Sequence, residues 1–182
     1  MKVDDSVSDA MLIRNCRQGD EESFNVLYQR YRLPLYSYLH KILPSTTGIV
    51  DDVFQKTWMR ALKNLDGYAD RQKFVSWLFR IAHNLAIDHY RKEKRFESVT
   101  LNDAFPDEAE QPWESLDRQA AEAALQQTIE TLSPEQREVL ALRQNGVPFK
   151  QIAEIQQTSV NTVLGRMHYA VKHLQKRLKA YR

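Results

Sequence analysis

The stretch Lys73 to Arg95, KFVSWLFRIAHNLAIDHYRKEKR, constrains this chain more than any other. Wound as a helix at about 100° per residue, it puts Phe74, Leu78, Ile81, Ala82, Leu85 and Ala86 on one side. Lys73, Arg80, Asn84, Ile87 and Arg91 fall on the other, with Trp77 at the seam beside Asn84. The apolar stripe demands partner helices to cover it. The opposite face mixes cations, an amide and an aromatic edge, and runs into the basic cluster Arg91, Lys92, Lys94, Arg95. Such a face suits single-stranded or opened nucleic acid, where cations follow phosphates and rings meet unstacked bases. Taken alone, the helix is read more simply as amphipathic with a solvated charged face. Its neighbours in the chain decide between the two.

Upstream, Ser8 is placed to cap a helix over residues 9–18, with Gly19 as its stop. Asp20, Glu21 and Glu22 open a second helix whose apolar positions recur at helical spacing from Phe24 to Ile42. Pro34 is expected to kink or split it. Its aromatics, Phe24, Tyr28, Tyr31, Tyr36 and Tyr38, read as core with wet hydroxyl tips rather than as a stacking surface. A third helix, IVDDVFQKTWMRALKNL, buries Val50, Val53, Phe54, Trp58, Ala61, Leu62 and Leu65 and turns Asp51, Asp52, Gln55, Lys56 and Arg60 outward. Adjacent Asp51 and Asp52 diverge on a helix and suit its N-terminus through the dipole, which argues against a metal pair. The short loop 66–72 leads into the opening helix. It has the size of a base pocket or of a plain turn.

Residues 96–117 carry seven acidic side chains, no Lys or Arg, and Pro106 and Pro112. They read as an acidic linker whose 22 residues reach about 70 Å when extended. From Pro134 to Arg182 nine Lys/Arg face three Asp/Glu, so a total charge of only +2 conceals basic regions around an acidic middle. That distribution points to a nucleic acid touched at two places. The single cysteine, Cys16, excludes an internal disulfide and a Cys-based zinc site, and reads as a packed structural thiol. With no apolar leader and no run of about 18 apolar residues, a cytoplasmic chain without membrane insertion is expected.

Beyond the linker, a helix is predicted from about Leu116 to Thr131, followed by Ser133-Pro134-Glu135-Gln136, a strong helix start. Gly146 and Pro148 stop that helix. A short helix, FKQIAEIQQ, a tight turn and a long helix capped by Ser159 complete a helix-turn-helix pattern, with Ala153 at the close crossing. On the last helix Val160, Val163, Met167, Ala170, Val171, Leu174 and Leu178 are assigned to the core. Leu164 is assigned to its edge, while Thr162, Gly165, Tyr169, Lys172, His173 and Lys176 point away. Hydroxyls and Arg166 near the N-terminal end suit base reading, and the later cations suit phosphate. The fold class is therefore all-α, two small helical bundles joined by a flexible acidic linker, with domains at 8–95 and 118–182.

FNVLYQRYRLPLYSYL, DDVFQKTWMRAL, FVSWLFRIAHNLAIDHYRK, LSPEQREVLALR and FKQIAEIQQTSVNTVLGRMHYAVKHL occur in this order. In this series the chain resembles the ECF-type sigma factors, small specificity subunits of bacterial RNA polymerase. The resemblance implies sigma region 2 in the first bundle and sigma region 4 in the second. It implies core RNA polymerase and promoter DNA, duplex and melted strand, as partners, together with an anti-sigma protein. Asp51, Asp52, Gln55 and Arg60 would meet the polymerase. Tyr68, Ala69, Asp70, Arg71 and Lys73, with Trp77, Arg80, Asn84, Asp88, Arg91 and Lys92, would hold the opening −10 DNA. Ser159, Asn161, Thr162, Gly165, Arg166, Tyr169 and Lys172 would enter the −35 major groove. Lys56 stands where the family usually has an acid, and Thr158 where a turn glycine is common. Leu164, Gly165, Tyr169 and Val171 replace frequent Lys, Ser, Arg and Arg.

Two other readings compete. A free-standing helix-turn-helix regulator would need neither the long linker nor the aromatic–basic helix. A nuclease built from Asp51, Asp52, His83, Asp88 and His89 lacks convergent geometry, since His83 and Asp88 lie about 140° apart on the helix. Neither catalysis nor a cofactor or metal is expected.

Overall fold

The computed structural model describes residues 7–43, 48–69, 73–96 and 118–177, with the side chains of all but 92–96 and 118–123. Among the described residues the regular elements are helices: α1 (Asp9–Arg17), α2 (Glu21–Ile42), α3 (Ile49–Lys63), α4 (Phe74–Phe96), α5 (Arg118–Glu130), α6 (Pro134–Gln144), α7 (Phe149–Ile155) and α8 (Val160–Arg177). Asp70, Arg71, Leu178 and residues 97–117 of the expected linker lie outside the described residues. Helices α1–α4 pack as one bundle and α5–α8 as a second. The two touch where α2 meets α6 and α4 meets α7.

Local chemistry sets the helix ends. The Ser8 hydroxyl accepts from the Met11 N–H, and the Asp20 carboxylate accepts from the Glu22 N–H. Gly19, between them, has φ 88°, a left-handed conformation that lets α1 stop and α2 start at once. Ser133 and Gln136 form a reciprocal capping box with Pro134 just inside α6. No described helix is long and apolar enough to cross a membrane.

Pro34 does not split α2, which runs as one helix from Glu21 to Ile42. The proline removes one N–H. Leu27 before it and Leu35, Tyr38 and Leu39 after it are all 0–1% exposed, so both halves are anchored in the same core. Leu78, Phe79 and Ala82 of α4 are fully buried against them, and the Phe79 ring lies 4.8 Å from that of Tyr38. Each such large side chain contributes about 1.5–3 kcal/mol by leaving water.

The α2 aromatics pack as core; the Tyr36 hydroxyl stays at an exposed site as expected, while those of Tyr31 and Tyr38 are drawn into part-buried and buried bonds. Phe24 and Tyr28 surround Trp58 at 5.9 and 5.1 Å. Tyr31 donates to Asp9, Tyr36 to Asp51 at 2.9 Å and Tyr38 to Glu138. Burial and, next, its bond to Asp9 push the Tyr31 phenol well up. Cys16 is half-buried, and burial with the nearby Asp20 charge raises its thiol, which keeps it in the unreactive form.

Leu62 is 48% exposed, contrary to its assignment to the buried stripe of α3. It sits at the margin of that stripe, on the same side as Asp51 and Gln55, where nothing covers it in the bundle. Buried Thr57 takes a place on the inner face instead, its hydroxyl bonded to the Val53 carbonyl at 2.7 Å.

Candidate nucleic-acid interface

Helix α4 carries three faces rather than two. Phe74, Leu78, Ala82 and Leu85 enter the first bundle's core. Asn84, Asp88 and Arg91 are exposed on a second sector, with Trp77 half-buried at its edge. The third is a stripe at helical spacing, Ser76, Arg80 and His83, that meets the second bundle. Of these, the sequence placed only Arg80, on the polar face. Ser76 and His83 are buried.

The loop before α4 is held from behind. The Arg17 guanidinium donates to the Leu65 carbonyl at 2.9 and 3.1 Å and to the Tyr68 carbonyl. Tyr68 is 5% exposed, its ring 5.0 Å from Trp77 and 5.9 Å from Phe74. Tyr68 and Trp77 thus form one aromatic platform, and Ala69 and Lys73 lie exposed beside it. The Lys92 side chain, like Asp70 and Arg71, falls outside the described residues.

The seam between bundles centres on Glu138 of α6, which is 6% exposed. Its Oε1 accepts from the Tyr38 hydroxyl at 2.5 Å and lies 2.7 Å from His83 Nδ1, while its Oε2 accepts from Gln156 Nε2 at 2.8 Å. Burial alone would raise this carboxyl. The hydrogen bond and charge of His83, then the bonds from Tyr38 and Gln156, outweigh burial and hold it below its ordinary value. Around it Arg80 Nη2 pairs with Glu154 Oε2 at 2.8 Å, Ser76 donates to Gln151, and Lys41 Nζ donates to Gln144 at 2.7 Å. A cleft of about 350 Å³ opens beside this seam, with Arg91 and Arg166 both on its walls. Arg166 is fixed by donating to Gln156 Oε1 at 2.7 Å.

In the helix-turn-helix, the Ser159 hydroxyl accepts from the Thr162 N–H at 3.1 Å and caps α8. The left-handed residue of the turn is Gln157, at φ 51°, not Thr158, whose N–H bonds the Ala153 carbonyl at 2.9 Å. Val163 and Ala170 are fully buried, and Ala153 is 4% exposed at the helix crossing. Asn161, Thr162, Tyr169 and Lys172 are exposed, and Gly165 is half-buried. Val160 and Leu164 are 39% and 44% exposed, which corrects their assignment to the core and its edge. Val160 is close in angle to Met167 but sits in the first turn of α8, and Leu164 lies at the margin of the stripe of Val163, Met167 and Ala170, so neither is fully covered.

On α3, Asp51, Asp52, Gln55 and Arg60 are exposed, and Lys56 bonds Asp52 at 2.5 Å. Met59 is 62% exposed beside Gln55 and Leu62, so this face joins polar and apolar groups. No group of three or more His, Cys, Asp or Glu able to hold a metal exists among the described residues. His83 is engaged with Glu138, away from the exposed Asp88.

Residues 27–96 match the family model described as Sigma-70 region 2, and residues 122–174 that described as Sigma-70, region 4. The ECF RNA polymerase sigma-E factor of Salmonella typhimurium is 27% identical over 179 residues, spanning 92% of this chain and 93% of the relative. The solved structure of CnrH in complex with the cytosolic domain of CnrY is similar at TM-score 0.63 and 27% identity, over 94% of this chain and 97% of that one. The sigma factor RpoE in complex with the anti-sigma factor NepR from Bartonella quintana gives TM-score 0.63 and 25% identity, over 86% and 98%.

Proposed function

The chain belongs to the ECF sigma factors, and from that premise we infer that it binds core RNA polymerase and directs it to specific promoters. The observation that carries this reading is the pairing, in one chain, of the aromatic–basic face of α4 with the capped helix-turn-helix of α7 and α8. A regulator of duplex DNA needs only the second. In the proposed division of labour, α8 anchors the −35 duplex through Ser159, Asn161, Thr162, Gly165, Arg166, Tyr169 and Lys172. Trp77, with buried Tyr68 packed behind it, the loop 68–73, and Asn84, Asp88, Arg91 and Lys92 then hold the melted −10 strand, exchanging base stacking for protein contacts, and Arg80 joins them once its pair with Glu154 across the seam opens. Residues 8–95 act as region 2 and 118–182 as region 4, in the cytoplasm. No residue is assigned a catalytic role.

The polymerase-docking face is α3, where Asp51, Asp52 and Gln55 surround exposed Met59 and Leu62, with Arg60 further round. An exposed apolar pair in a polar rim is the usual composition of a docking centre. Core polymerase without DNA should retain the chain in a pull-down, and Met59→Ala should weaken retention roughly tenfold. A chain that stays behind without DNA is instead a free-standing regulator. An anti-sigma protein is a further proposed partner, supported by the RpoE–NepR complex.

A further inference from the structure

We propose that Val160 and Leu164 read thymine C5-methyl groups in the −35 major groove, so that the element this chain selects depends on thymine beyond its hydrogen-bonding pattern. The proposal rests on the promoter-binding role of α8 given above. Four observations lead to it.

Val160 and Leu164 are one turn apart and 39% and 44% exposed, while the helix is already anchored by fully buried Val163 and Ala170. The pair is therefore not needed to hold the bundle. It lies in the first turns of α8, the end of a recognition helix whose side chains reach base edges. Asn161, exposed, lies about 60° round the helix from Leu164 and supplies the polar half of a groove contact. Lys172, Lys176 and Arg177 follow along the same helix, and no acidic residue occurs anywhere in it, so the charge suits phosphate and a duplex rather than a basic partner.

Gly165 lies on the neighbouring side of the helix, about 100° round from Leu164. A Cβ built there meets nothing within 4 Å, so the position is open and the backbone can approach another molecule closely. In the major groove only thymine offers a methyl group, and apolar side chains are its natural contacts. Asn161 is suited to adenine N6/N7, so the trio Val160, Asn161, Leu164 fits a short run of A·T pairs.

The test uses holoenzyme reconstituted from the full chain and core polymerase. Promoters are first selected from a library randomised in the −35 region. Each −35 thymine of a selected promoter is then replaced by deoxyuridine, which keeps every hydrogen-bonding group and removes only the methyl. Loss of one buried methyl should lower open-complex yield about three- to fivefold at one or two positions. With Leu164→Ala or Val160→Ala the thymine-to-deoxyuridine ratio at the matching position should shrink towards one, while the thermal unfolding temperature falls only slightly because neither side chain belongs to the fully buried core. Selected elements without thymine, or yields indifferent to the methyls in the wild type, would overturn the proposal alone, as would an alanine variant that weakens both templates equally. A library that returns no start sites at all would overturn the promoter reading with it.

Discussion

Glu138→Ala should release the two bundles from one another, shifting the balance between closed and open chain by about 3 kcal/mol, or roughly a hundredfold. The carboxylate is the shared acceptor for buried Tyr38 and His83 and for half-buried Gln156, at the edge of the cleft. Truncation leaves Tyr38 and His83 buried with their acceptor removed, and an unsatisfied buried donor costs about 1–3 kcal/mol. Tyr38→Phe removes a single donor and should loosen the seam by only about 1 kcal/mol. Energy transfer between dyes on exposed positions 59 and 172 reads the separation directly, with far-ultraviolet circular dichroism confirming that the helices persist. Unchanged transfer in Glu138→Ala would mean that the seam is held by its apolar contacts instead.

The same group gives the seam a pH dependence of defined sign. Its carboxyl is held below the ordinary value of 4.5 in the closed chain. A depressed acid stabilises the closed form fully above about 4.5, and that contribution fades as pH falls through the lower closed-state value. In Glu138→Gln this acid-side opening should disappear from the transfer signal.

The second large effect is expected at Asn84. It is exposed on α4 beside the half-buried Trp77, away from the core stripe and away from the seam. Asn84→Ala therefore leaves folding and polymerase binding intact. If the amide holds an unpaired base, its loss removes about 1–3 kcal/mol from the melted state, lowering open-complex yield by tenfold or more. Permanganate reactivity of the −10 thymines measures this, with a core-polymerase pull-down run beside it. Loss of polymerase retention, or unaltered melting, would remove Asn84 from the proposed role.

Local rules were the legible part of this sequence. The caps at Ser8, Ser133 and Ser159, the stop at Gly19 and the 3.6-residue stripes depend on neighbours within a turn, and the eight helices among the described residues follow from them. What depends on a distant partner was hidden. The roles of Ser76, Arg80 and His83 emerge only when Gln151, Glu154 and Glu138 are brought opposite, 75, 74 and 55 residues away in the chain. Glu138 itself reads as an ordinary surface acid of a capped helix. Margins of stripes were the other weak point. Leu62, Val160 and Leu164 are apolar and lie close to buried residues in angle, yet no neighbouring element covers them. Hydrophobicity alone could not separate a covered margin from a docking face. That Pro34 does not split α2 has a related reason: its missing hydrogen bond is local, whereas the buried residues that hold the helix together are contributed by packing.

Everything above requires that this chain convert core polymerase into an enzyme that opens particular promoters. The most direct measurement is transcription in vitro, with purified core polymerase and a genomic fragment library, with and without the full chain, mapping every start. Discrete starts that appear only with the chain, share two upstream elements and show reactive thymines around the −10 position are the predicted result. Templates that stay closed and silent with the chain bound to polymerase would contradict it.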